Sequence, residues 1–221
     1  MNQPMERSYR WLLWTLALLG LTADLTSKYG VFAWLYDDAV RHERYYGEYI
    51  IVPGAFRLLA QFTPQPPAPD QWLSPLRNWG VELLPHVNHG ALFGFGGHHE
   101  HLANAIFTLI SLVASVAIIY WGTRRATAQD WLLCVALGLI LGGTLGNLYD
   151  RVVFGGVRDF LYFKYRWIDW PVFNIADCCL VCGAFLLFIQ AFWQQPATST
   201  DASDHADATP EPTRVPVAQA K

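Results

Sequence analysis

The chain is short of charge. Only 15% of its 221 residues are Asp, Glu, Lys or Arg, against about 25% in an ordinary soluble domain. The net charge of −3 contains no basic block, so a nucleic-acid partner has no electrostatic footprint here. Cysteine is scarce as well. Cys134 lies in one apolar run and Cys178, Cys179 and Cys182 in another, positions where free cysteine behaves as a small hydrophobe. Cys179 and Cys182 stand one helical turn apart, but no second Cys/His pair of zinc-like spacing completes a site. Neither a metal nor an organic cofactor is expected, and no internal repeat is evident.

Apolar residues are abundant instead. They make up 53% of the chain, with 10 Trp, 10 Tyr and 13 Phe among them, and Trp and Tyr favour membrane–water interfaces. Four stretches approach the roughly 20 apolar residues that cross a bilayer as a helix: 11–29, 102–122, 131–149 and 172–193. Arg7 and Arg10 ahead of the first run also fit a secretory signal peptide. However, no small-x-small cleavage site follows, and Asp24 and Lys28 continue the helix, which favours an uncleaved span. The length suits one domain. The expected architecture is therefore an all-α membrane protein over residues 1–193, with four transmembrane helices and a small extracytoplasmic β-rich or mixed subdomain in the insertion 30–101. Within that insertion Tyr49 to Val52 reads as a strand and Pro64 to Pro69 as a Pro-rich patch. The segment 194–221, rich in Ala, Thr, Pro and Asp, lacks the apolar residues to fold and is expected to be a disordered cytoplasmic tail.

Arg7 and Arg10, with Arg124 and Arg125 between spans two and three, place both termini in the cytoplasm by the positive-inside rule. Arg151, Arg158, Lys164 and Arg166 in the opposite loop weigh against it. Independently of that choice, alternating spans bring the polar intramembrane residues to one end of the bundle. These are Asp24 and Lys28 at the end of span one, Asn147, Asp150 and Arg151 at the end of span three, and Asn174 and Asp177 at the start of span four. Asp159 lies in the loop between. Ionisable groups inside a membrane are costly and by default mark function.

The spacings sharpen this. Asp24 and Lys28 are i,i+4 and can pair, which on its own describes a self-satisfied ion pair. Asn147, Asp150 and Arg151 are predicted to share a face, with Asp150 and Arg151 in a structural role. Pro171 suits the start of span four, so Asp177 falls in its first two turns, where the helix dipole favours a carboxylate. Gly155-Gly156 permits a sharp turn that returns Asp159 over the bundle. Asp159 and Asp177 are the minimum set for aspartic protease chemistry. Three other readings compete: a small transporter or proton channel, which would want polar residues along the bundle's full depth; a metalloprotease using His98, His99, Glu100 and His101, which lacks the H-E-x-x-H spacing; and an inactive scaffold.

Five segments in order resemble the lipoprotein signal peptidase family, also called signal peptidase II. They are Asp24-Leu25-Thr26-Ser27-Lys28, Asn88-His89-Gly90-Ala91-Leu92-Phe93-Gly94, Gly146-Asn147-Leu148-Tyr149-Asp150-Arg151, Gly156-Val157-Arg158-Asp159-Phe160 and Phe173-Asn174-Ile175-Ala176-Asp177. The resemblance extends over 11–193. Leu25 replaces a usual Gln and Leu92 a usual Ala, and 29–88 and the tail look longer than is typical. The resemblance implies catalysis by Asp159 and Asp177. It makes Asp24, Lys28, Asn88, Gly90, Asn147, Asp150, Arg151 and Asn174 substrate contacts or support. It also implies a lipid-modified prolipoprotein substrate cut before its diacylglyceryl-cysteine, contact with membrane lipid, and a monomer in the bacterial inner membrane with its site at the extracytoplasmic face.

Overall fold

The computed structural model describes residues 7–64, 73–77, 83–90 and 100–193. The expectations for the tail 194–221, for His98 and His99, and for Pro66, Pro67 and Pro69 lie outside the described residues. Six helices and five strands are described: α1 (Arg10–Arg41), β1 (Tyr46–Val52), β2 (Phe56–Thr63), α2 (Ser74–Arg77), β3 (Leu84–Pro85), α3 (Glu100–Gly122), α4 (Arg125–Gln129), α5 (Trp131–Phe154), β4 (Leu161–Tyr165), β5 (Ile168–Asp169) and α6 (Ile175–Trp193).

Three of these helices are long and apolar enough to cross a membrane, at 101–122, 131–154 and 175–192. Helix α5 is central and packs against α1, α3 and α6. It can do so because its glycines let backbones approach, as is common where helices meet in membranes. A Cβ on Gly142 would lie 2.8 Å from the Ala17 carbonyl oxygen, and one on Gly138 would lie 2.7 Å from that of Leu13. Leu13, Ala17, Ile118, Cys134, Leu137 and Leu141 fill this end of the bundle. The outer faces remain strongly apolar, with Leu18, Val113, Val181 and Phe188 all exposed. So large an exposed apolar surface calls for a partner phase.

The helix ends differ from the expected boundaries. Helix α1 does not stop near Tyr29 but continues to Arg41. Its 32 residues span about 48 Å at 1.5 Å per residue, well beyond a hydrocarbon core of about 30 Å. The first part of the expected insertion is therefore helix. Its last turns, through Phe32, Leu35 and Ala39, form a second core with Ala60, Phe62, Phe160 and Leu161. Helix α5 runs five residues past Tyr149 to Phe154 and ends on Gly155, whose left-handed φ of 78° suits a glycine C-cap. Helix α6 starts at Ile175, because Phe173 is held in a β-bridge with Leu161.

The sheet is antiparallel, in the order β1-β2-β4-β5, with β3 also pairing β2. It is not confined to the insertion. Strands β4 and β5 come from the loop between α5 and α6, and β4 adds to β2 through Arg57 opposite Tyr162 and Leu58 opposite Leu161. That pairing ties the loop carrying Asp159 to the long hairpin.

Candidate active site

Two short backbone pairings hold the segment around Asp159. On one side Asn88 and Val157 exchange N–H···O bonds of 2.7 and 3.0 Å. On the other, the Phe160 and Leu161 N–H groups donate to the Phe173 carbonyl at 3.0 and 2.8 Å, and Phe173 N–H returns a bond to Leu161. Asp159 is thus suspended between the Asn88 and Asn174 segments. Both asparagines donate to its carboxylate, Asn88 Nδ2 to Oδ2 at 3.0 Å and Asn174 Nδ2 to Oδ1 at 2.7 Å. Asn88 is oriented in turn by accepting from the Gly90 N–H at 2.9 Å. Gly90 has φ of 100°, and a Cβ there would meet the Phe107 ring at 2.6 Å, so glycine suits this position on both counts.

Asp177 is placed by the start of α6. Asn174 Oδ1 accepts from Asp177 N–H at 2.9 Å, and Asp177 Oδ2 accepts from Asn174 N–H at 3.2 Å. This is a reciprocal capping box, sufficient by itself to account for an aspartate at this point of a helix. Two further facts exceed capping. Asn147 Nδ2 donates to Asp177 Oδ1 at 2.9 Å, and Asp177 lines an open cleft of about 800 Å³ together with Asp159, Asn147, Arg151, Asn88 and Gly90. Arg151 reaches this cleft stacked near Phe107, 5.4 Å from the ring centroid.

Beneath the cleft lies a buried charge cluster. Lys28 pairs with Asp24 at 2.7 Å and with Asp150 at 3.1 Å, all fully buried. It also donates to Asn147 Oδ1 at 3.2 Å, to which Asn174 Nδ2 is equally close. Asp24 Oδ1 accepts from Ala176 N–H at 2.9 Å, and Gly146 makes room for its carboxylate, since a Cβ there would lie 2.5 Å from Oδ2. The i,i+4 pair expected on α1 therefore exists, but it joins α1, α5 and α6 rather than satisfying itself at an interface.

The structure brings all ten sequence-predicted residues to one end of the bundle. It separates one expected group: Asn147 and Arg151 line the cleft, whereas Asp150 turns away and is fully buried. Residues i and i+1 differ by about 100° around a helix, and the buried cations claim Asp150. Its second partner, Arg158, was missed. Arg158 Nη2 and Nε lie 2.7 and 3.2 Å from Asp150 Oδ1. The signal available was a cation directly before Asp159, with the pair flanked by Val157 and Phe160. Phe107 and Trp170, which also line the cleft, carried no sequence signal beyond being aromatic.

The Asp159 carboxyl is altered by this setting. Burial first, then the Asp177 charge, push it up from 3.8 to about 7, against the lowering effect of the Asn88 and Asn174 hydrogen bonds. Two adjacent carboxyl groups, one kept protonated near neutral pH, can share a proton and activate water. Among the described residues no group of His, Cys, Asp and Glu is arranged to hold a metal ion.

A family model described as signal peptidase (SPase) II matches residues 16–193. Lipoprotein signal peptidase of Alteromonas mediterranea is 42% identical over 118 residues, 51% of this chain and 64% of that protein. The proteins of the same name from Ralstonia nicotianae and Pseudomonas aeruginosa are 45% and 40% identical over 107 residues, 48% of this chain and 61% and 62% of theirs. The chain thus aligns with less than two thirds of the length of these relatives. Two solved structures, each described as a bacterial membrane enzyme, share the fold with TM-scores of 0.60 at 21% identity, covering 87% and 92% of this chain and all of theirs.

Proposed function

The chain belongs to the signal peptidase II family, and from that premise we propose that it is an intramembrane aspartic endopeptidase. It removes the signal peptide from diacylglyceryl-modified prolipoproteins by cutting before the lipidated cysteine. Asp159 and Asp177 form the dyad. The observation that carries this reading is that both carboxylates line one cleft and are bridged by Asn174, whose side chain contacts Asp159 while its backbone N–H contacts Asp177.

In this mechanism Asp177 is the general base. It takes a proton from water, and the resulting hydroxide attacks the scissile carbonyl carbon. Asp159, holding its proton near pH 7, donates it to the carbonyl oxygen. The tetrahedral diol then collapses. Asp159 takes back a hydroxyl proton as the carbonyl re-forms, the C–N bond breaks, and Asp177 delivers its proton to the leaving amine. No metal or cofactor enters this sequence. Asn88, Asn147 and Asn174 orient the dyad; Arg151 and Gly90 shape the substrate side of the cleft; Asp24, Lys28 and Asp150 support it from below.

Helix α1 supplies the fourth span, with both termini cytoplasmic and the cleft at the extracytoplasmic face of a bacterial inner membrane. Arg10 at one end of α1 and the sheet at the other support that orientation. The protein acts as a monomer. The lipid-facing flanks of α3 and α6 let the signal helix and acyl chains enter sideways. The test is cleavage of a diacylglyceryl-modified precursor by the purified protein, with and without Asp159→Asn or Asp177→Asn. Full processing by both variants overturns the assignment.

A further inference from the structure

Arg158 is the largest fully buried side chain of the described residues, and it immediately precedes Asp159. A buried guanidinium is costly unless it is well paired, and this one is held by an ion pair and by two aromatic rings. Its Nη2 lies 2.7 Å from Asp150 Oδ1, its Nε lies 3.2 and 3.3 Å from the two Asp150 oxygens, and its backbone N–H donates to Asp150 Oδ2 at 2.9 Å. Its Cζ lies 3.9 and 4.3 Å from the ring centroids of Phe154 and Tyr29, whose rings are 6.2 Å apart, tilted by 59°, and flank it on adjacent sides. Cation–π contacts of this kind strengthen when desolvated. Tyr29 is itself anchored by hydroxyl contacts to Tyr149 at 2.8 Å and to the Leu76 carbonyl at 3.0 Å.

The side chains of Arg158 and Asp159 go separate ways, one into the bundle and the other to the cleft. Asp150 and Arg151 on α5 do the same. A buried ion pair thus lies directly beneath the reacting face and joins the end of α5 to the loop that carries Asp159. It also completes a charge balance: Asp24 and Asp150 against Lys28 and Arg158, with both carboxylates in contact with Lys28.

We propose that Arg158 is a positioning residue for Asp159: clamped by Asp150, Tyr29 and Phe154, it sets the height and register of the 155–160 loop so that Asp159 faces Asp177 across the cleft. This rests on the dyad reading above. The Val157–Asn88 and Phe160–Phe173 backbone bonds restrain the loop laterally, and the Arg158 pair draws it down onto α5. Arg158 does not line the cleft, so its loss acts on geometry at the reacting atoms rather than on substrate binding.

The test compares the purified full-length protein with Arg158→Met, Arg158→Lys and the double variant Asp150→Asn/Arg158→Met, using a diacylglyceryl-modified precursor peptide. Displacement of a reacting group by about 1 Å costs on the order of 100-fold, so Arg158→Met is expected to lose about that much in kcat with KM within about twofold. Arg158→Lys, which restores the charge opposite Asp150, is expected to recover at least about tenfold of that loss. The double variant leaves no buried charge unpaired and is expected to fold but to stay slow. Should Arg158→Met fail to fold, the double variant decides. A double variant with near wild-type kcat would show that Arg158 only balances charge and would overturn the proposal. So would a defect confined to KM, or no recovery with lysine. Asp159→Asn is assayed alongside: full activity there refutes the dyad itself, whereas an inactive Asp159→Asn beside a fully active Arg158→Met refutes only the role of Arg158.

Discussion

Asp159 and Asp177 line the same cleft, and the charge of Asp177 adds to burial in holding the Asp159 carboxyl near 7 rather than at its ordinary 3.8. The two residues come from different elements, a loop after α5 and the first turn of α6. Asn174 touches both.

This relationship predicts a pH dependence. If protonated Asp159 is the general acid, turnover falls as pH rises through about 7. The sign for stability is the same. The folded carboxyl keeps its proton to higher pH than the unfolded chain does, so the fold binds more protons between 3.8 and about 7 and loses stability as pH rises through that window. A kcat–pH profile on a lipid-modified precursor checks the first point. Activity that keeps rising well above pH 7 contradicts it.

Asn88→Ala tests how that titration is set. The Asn88 hydrogen bond favours the ionised carboxylate, so its removal should move the alkaline limb of the profile upward, by about one to two pH units for a single bond to a charged group. A downward movement would show that Asn88 does not donate to Asp159 in the working enzyme.

Lys28→Met leaves Asp24 and Asp150 buried with only Arg158 to balance them. Breaking a buried pair from one side costs about 3–5 kcal/mol. Thermal unfolding in detergent should show that loss, and Asp24→Asn/Lys28→Met should recover part of it. A variant as stable as the parent would mean that water reaches the cluster.

Two glycine substitutions form a matched pair. Gly146→Ala puts a methyl 2.5 Å from the Asp24 carboxylate and is expected to destabilise the α1–α5 contact by about 1–3 kcal/mol. Gly30→Ala meets nothing within 4 Å and sits inside a helix, so it should be neutral or stabilising by up to about 1 kcal/mol. The reverse ranking by thermal unfolding would refute the described packing of α1 on α5.

Processing should persist undiminished in excess chelator, since no step of the proposed reaction uses a metal. Loss of activity in EDTA, restored by a divalent ion, would favour a metal-dependent mechanism instead.

Local patterns were enough for much of this molecule. Apolar runs of the right length announced α3, α5 and α6, because a hydrophobic stretch reports its own environment. Alternation of the spans placed Asp24, Lys28, Asn147, Asn174 and Asp177 at one end without any knowledge of their contacts. Asn174 and Asp177 stand three residues apart, and the structure makes that spacing a capping box at the start of α6.

Other features depend on segments distant in the chain and only the tertiary structure decided them. Lys28 meets Asn147 across 119 positions and Asn88 meets Asp159 across 71, distances at which no local periodicity operates. The sequence grouped Asp150 with Arg151, but packing turned Asp150 inward, where the desolvated Lys28 and Arg158 required a counter-charge. Arg158 passed as an ordinary loop cation because the cost of burying it, and therefore its importance, exists only once α1, α5 and the 155–160 loop close around it.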